Sequence, residues 1–188
     1  MKKIIILLCA IAVAQVQADF RPIVQFGKDL VIKKKITNTV EVNGAYSIEA
    51  GVEYYDSNDS DYSTQFLVGY KSDSLERIRK KHKNVPIKLT RKTFSLLQKY
   101  KHDKYHLGLG LTYHIKPQVD YTFKRHVTRE FKNALGLLAQ TGYSITENID
   151  LSLRMTRIKY KIEVKRKKKI YKRSYDTSSL GVFLTYKF

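Results

Sequence analysis

Apolar and polar residues alternate with a period of two in stretch after stretch of this chain. That is the pattern of strands with one face in an apolar medium and the other in a polar one. Residues 105–113 place Tyr105, Leu107, Leu109, Leu111 and Tyr113 on one face and His106, Gly108, Gly110 and Thr112 on the other. Aromatic residues close both ends of the apolar face. The last segment repeats the pattern, with Leu180, Val182, Leu184, Tyr186 and Phe188 opposed to Gly181, Phe183, Thr185 and Lys187. Ala134–Tyr143 alternates through Leu135, Leu137, Ala139, Thr141 and Tyr143, and Ile149–Tyr160 through Leu151, Leu153 and Met155. Ser47–Tyr55 alternates through Ile48, Ala50, Val52 and Tyr54, and Tyr62–Tyr70 through Tyr62, Thr64, Phe66, Val68 and Tyr70.

Two further strands are less regular. Phe94, Leu96 and Tyr100 share a face that Gln98 interrupts, in a strand that continues back toward Pro86. The first strand lies within Phe20–Ile36, where Gly27-Lys28-Asp29 breaks the alternation of Phe20, Pro22, Val24 and Phe26 and predicts a bulge or bend. The total is eight strands. Asp56–Asp61, Lys101–Lys104 and Ser144–Asn148 read as short turns, whereas Lys71–Val85, Ile115–Thr128 and Glu163–Ser174 read as long loops. Short turns on one side and long loops on the other is the habit of transmembrane barrels.

The first residues change the totals. Met1-Lys2-Lys3, an apolar run from Ile4 to Ala14, and small residues Val16 and Ala18 predict a signal peptide cleaved after Ala18. Of 188 residues, 170 then remain as one domain, residues 19–188, and loss of Lys2 and Lys3 lowers the formal charge from +19 to +17. Cys9 leaves too, which excludes disulfides and thiolate metal sites from the remainder. With 14 Tyr and 8 Phe, the chain is too aromatic for disorder.

Alternation does not say which face is inside, so a soluble lipocalin-like barrel shows the same period. Tyrosines at the ends of the apolar faces, and glycines and charges opposite them, favour lipid outside and a narrow lumen within. The expected fold is therefore all-β, an eight-stranded antiparallel up-and-down transmembrane β-barrel.

The run Leu180-Gly181-Val182-Phe183-Leu184-Thr185-Tyr186-Lys187-Phe188 resembles the C-terminal assembly signal of the small bacterial outer-membrane β-barrel superfamily. That group includes the OmpA transmembrane domain, the OmpX and Ail group and the OmpW-like barrels. Gly142–Arg154 is similar to the hairpin that precedes their last strand pair. The resemblance implies the outer membrane as location. It also implies recognition by the barrel-assembly machinery through Leu180, Val182, Leu184, Tyr186 and Phe188. It implies little about activity.

Glu49, Glu53, Arg154 and Lys187 fall on the non-lipid faces and are expected to form a lumen charge network, because an unpaired buried charge is costly. His106 and His114 share a face but stand about 27 Å apart along a strand, too far to share a metal. No metal or cofactor is expected. Resemblance to the lipid A deacylases among such barrels would imply a His-Ser pair near the outer rim. The chain has no such dipeptide, and Tyr113-His114-Ile115 lacks the partner.

Two basic runs stand out: Arg77, Arg79, Lys80, Lys81 and Lys83, and Lys165, Arg166, Lys167, Lys168, Lys169, Lys172 and Arg173. Basic runs often mark nucleic acid, but export argues against that here. Above an outer leaflet they would meet the phosphates of lipopolysaccharide or another polyanion. The sequence thus points to a monomeric outer-membrane protein with a structural or surface-interaction role. The alternatives are a small channel or carrier for apolar compounds and, third, a lipid A-modifying enzyme.

Overall fold

The computed structural model describes residues 20–30, 40–56, 59–79, 82–123, 125–166, 169–176 and 178–188. The signal-peptide expectation for residues 1–18 therefore lies outside the described residues. Strands β1 (Phe20–Leu30), β2 (Val40–Asp56), β3 (Asp59–Arg79), β4 (His82–His102) and β5 (Tyr105–Phe123) follow one another antiparallel. After them come β6 (Arg125–Glu130), β7 (Ala134–Ser144), β8 (Ile149–Arg166), β9 (Lys169–Asp176) and β10 (Ser179–Lys187). β10 pairs with both β8 and β1, so eight strands close a barrel wall, while β6 and β9 extend hairpins beyond it.

The pairings give the barrel its shear. Phe20 registers with Tyr54, then in turn with Thr64, Gln98, Leu109, Ala139, Met155 and Leu180. Leu180 registers with Leu30, so one circuit of the wall returns to β1 ten residues further along. For eight strands, a shear of that size corresponds to a strand tilt of about 40° and a lumen that side chains alone can fill.

Burial decides the faces. The charged residues of the wall's mid-section point inward with a few apolar ones such as Ile23, Leu67, Leu97 and Phe183, while the long apolar faces point outward, with Leu107 and Leu109 63 % and 71 % exposed. That orientation excludes a soluble barrel with an apolar interior. Tyr46 and Tyr54 on β2, Tyr62 and Tyr70 on β3, and Tyr105 and Tyr113 on β5 bound the apolar band, each pair eight residues apart. At the barrel's tilt this spans roughly 20–25 Å, the height of a lipid-facing band. On the rim with the short turns, aromatic pairs stack across neighbouring strands, as in Phe20–Tyr54 at 4.9 Å and Tyr62–Tyr100 at 5.1 Å between ring centroids.

Two expectations need correction. Much of each long loop is strand: β3 and β4 remain paired out to Arg79 and His82, β5 and β6 to Phe123 and Arg125, and β8 and β9 to Arg166 and Lys169. Beyond the girdle the outward positions of β8 turn from Leu151, Leu153 and Met155 to Arg157, Lys159 and Lys161, so the apolar-outward alternation stops while the backbone pairing continues. The second concerns Gly27-Lys28-Asp29. The register of β1 with β10 runs through these residues without a shift, and that with β2 runs unshifted to its last pair, Lys28 with Tyr46. The irregularity sits instead on β2, between Asn43 and Ala45, where Gly44 has φ +45°.

Candidate functional site: a packed ionic lumen and a basic outer rim

The lumen is filled by three levels of charge. Nearest the short turns, Lys99 Nζ donates to Glu53 Oε1 at 2.9 Å and lies 3.4 Å from Asp150 Oδ2, which Lys187 Nζ approaches at 2.8 Å. Ser63 and Ser144 donate to the same two carboxylates, each at 2.8 Å. In the middle, Arg154 uses three nitrogens. Nη1 donates to Glu49 Oε2 at 2.7 Å, Nη2 to Gln25 Oε1 at 2.6 Å and Nε to Gln140 Oε1 at 2.8 Å. Its guanidinium lies 4.3 Å from the centroid of the Phe183 ring. Towards the long hairpins, Arg91 makes a two-pronged contact with Asp73 at 2.7 and 3.1 Å, and Lys71 pairs with Asp29.

Each level is neutral. Among the described residues the buried charged groups are Asp29, Glu49, Glu53, Asp73 and Asp150 against Lys71, Arg91, Lys99, Arg154 and Lys187. Five cancel five, as a low-dielectric interior demands. Among the residues of described burial, the lumen therefore holds none of the excess positive charge.

Glu49 and Arg154 meet at one level, Glu53 and Lys187 at another, so these four residues do not form one network. Sequence reasoning missed Lys99, Asp150, Asp29, Lys71, Asp73 and Arg91. Parity was sufficient to find the first two, which share inward faces with Leu97 and Arg154. Asp29 was read as part of a break, and Lys71 and Asp73 as part of a loop.

The glycine at the presumed break has a packing role. A Cβ on Gly27 would lie 2.3 Å from Phe183 Cε1. Its absence lets the Phe183 ring lie flat inside the wall, beneath Arg154.

Above the third level the lumen turns apolar. Leu89, Ala134, Ile158 and Tyr160 form a buried cluster, with Val119 and Phe131 packed against it. His114 is only 3 % exposed and its Nδ1 is bonded to the Tyr160 hydroxyl, so it faces the lumen and not the lipid. His106 also points inward, and Gly142 makes room for its ring. Among the described residues no group of three His, Cys, Asp or Glu side chains is placed to hold a metal.

The basic runs are carried by the extended hairpins. Arg77, Arg79 and Lys83 lie on the β3–β4 hairpin, and Lys165, Arg166, Lys169, Lys172 and Arg173 on the β8–β9 hairpin. Lys80, Lys81, Lys167 and Lys168 lie outside the described residues. The two hairpins stand on opposite sides of the ring by strand order.

This closed antiparallel ring, apolar outside and ionic inside, matches solved membrane barrels in three dimensions. Neisserial surface protein A aligns with a TM-score of 0.53 at 14 % identity, over 91 % of this chain and 98 % of that one. The chain has the fold of the small outer-membrane β-barrels. Ail, the attachment invasion locus protein of Yersinia pestis, aligns over 92 % of this chain and 100 % of its own, at 9 % identity and a TM-score of 0.47. The outer membrane protease OmpT of Escherichia coli aligns over 91 % and 94 %, at 11 % identity and 0.40. No family model matches the sequence, and no curated protein does.

Proposed function

We propose that this barrel is an integral protein of the bacterial outer membrane with a structural or surface-interaction role. Its basic hairpins contact lipopolysaccharide or another polyanion. The observation that carries this reading is the charge distribution. The buried charges of the described residues cancel, and the described residues of the two densest basic runs fall on hairpins that rise past the outer aromatic girdle. The lumen supports no transport role, because side chains of non-adjacent strands meet within it at three levels, Lys99 with Asp150, Arg154 with Glu49 and Lys71 with Asp29, and an apolar cluster follows. A lipid-modifying role needs a base that faces the leaflet, and His114 is turned inward on Tyr160.

The C-terminal strand supports recognition by the barrel-assembly machinery, with Leu180, Leu184, Tyr186 and Phe188 on its outer face. The decisive experiment replaces Arg77, Arg79, Lys80, Lys81, Lys83, Lys165, Arg166, Lys167, Lys168, Lys169, Lys172 and Arg173 with Gln or Ser. Folding should persist and binding to purified lipopolysaccharide should weaken, most at low salt. Equal binding by wild type and variant at low and physiological salt overturns the assignment.

A further inference from the structure

The outward face of β8 changes character within one step. Leu151, Leu153 and Met155 face the lipid, and the next outward positions are Arg157, Lys159 and Lys161, all exposed. Strand geometry separates alternate residues by about 7 Å, so neighbouring cations of this ladder can share one phosphate. The adjoining wall is apolar. Arg157 registers with Leu137, and Leu135, the next outward residue of β7, registers with Tyr113 of the outer girdle. Leu135 and Leu137 are among the most exposed side chains of the barrel.

The polar boundary is held in place there. Asn133 Nδ2 donates to the Tyr113 hydroxyl at 3.0 Å, and the Lys132 amide donates to the Lys161 carbonyl at 3.0 Å. Asp176 registers opposite Lys159, and its Oδ1 accepts from Ser178 N and Oγ at 3.1 and 2.7 Å. The ladder thus keeps an excess of positive charge beside one carboxylate. Lys28, at a similar height on β1, lies instead over the Tyr46 ring at 5.2 Å.

We propose that the outer face of β7 and β8 is a binding site for a phosphorylated membrane glycolipid of the lipid A type. Its phosphate is held by Arg157, Lys159 and Lys161, and its acyl chains lie on Leu135, Leu137, Leu153 and Met155. Cations directly above a contiguous apolar surface fit an amphiphile better than a free anion, because only the amphiphile uses both parts. The inference rests on the outer-membrane reading above and does not involve the basic hairpin runs.

The test measures binding of the full chain, folded in detergent, to diphosphorylated lipid A, to its dephosphorylated form and to inorganic phosphate. The phosphorylated lipid should bind about tenfold more tightly than the dephosphorylated one, which three weak exposed contacts can supply. The R157Q/K159Q/K161Q variant should lose that preference, whereas K92Q on β4, outside this face, and the hairpin variant should keep it. Millimolar inorganic phosphate should not displace the lipid.

Equal binding of the two lipids by wild type overturns the proposal, and that comparison needs no variant to fold. So does a ladder variant that binds like wild type, an equal loss in K92Q, or displacement by phosphate alone. Loss in the hairpin variant with none in the ladder variant removes this site and leaves the hairpin reading standing. Loss of the phosphate preference in the ladder variant, with the hairpin variant keeping it, supports this site, and the hairpin reading then rests on its own test with whole lipopolysaccharide.

Discussion

Arg154 on β8 and Glu49 on β2, 105 residues apart in sequence, meet across the barrel interior at 2.7 Å. Arg154 is 2 % exposed and Glu49 5 %, so neither charge has water to fall back on. Arg154→Met should therefore destabilise the barrel by about 3–5 kcal/mol, because it leaves Glu49 buried and uncompensated. Adding Glu49→Gln should recover part of the loss, since the remaining amide carries no charge. Urea unfolding in detergent micelles, followed by the gel shift between folded and boiled protein, gives both values. A single variant as stable as wild type would place this pair in a hydrated lumen.

Gly27 and Phe183 make a second test, of shape and not charge. Gly27→Val forces the Phe183 ring off the wall and with it the surface beneath Arg154. The expected cost is about 1–3 kcal/mol, typical of overpacking. Phe183→Ala in the same chain should relieve the clash while losing its own packing. Strictly additive effects of the two changes would mean that the side chains do not meet.

Among the described residues Leu109 is the most exposed large apolar one, near the middle of the band. On a water-facing surface Leu109→Arg would cost almost nothing. Facing lipid at mid-depth, it should cost about 2–4 kcal/mol. Folding into bilayers of matched thickness is the measurement, and an unchanged free energy would contradict a lipid-facing band.

Phe188 stands at the end of β10, its ring 4.9 Å from that of Tyr186 and its amide bonded to the Pro22 carbonyl at 3.0 Å. Deleting it removes the end of the proposed assembly signal and only one backbone bond. Less folded barrel in the outer membrane of expressing cells is expected, with more degraded protein, while refolding of the purified chain in detergent is nearly unaffected. Equal losses in both settings would make Phe188 a stability residue and not a recognition element.

Period-two patterning by itself determined the eight crossing strands, the short turns and the residues sharing each face. These are local properties, since a strand's side chains alternate whatever it pairs with. Patterning says nothing about which side is wet, and the exposure of Leu107, Leu109 and Leu137 decided that. It also failed beyond the lipid, where the outward positions of β8 become Arg157, Lys159 and Lys161 and the apolar-outward alternation no longer follows the strand that backbone pairing continues.

The charge partners were the least legible part. Glu49, Glu53, Arg154 and Lys187 could be placed on inward faces, but their separation into two levels depends on the register summed around the wall. A shift of two residues in any one pairing would keep every face and re-match the ion pairs that span it. The ten-residue shear, a property of the closed ring and of no single strand, brings Arg154 to Glu49 and Lys99 to Glu53.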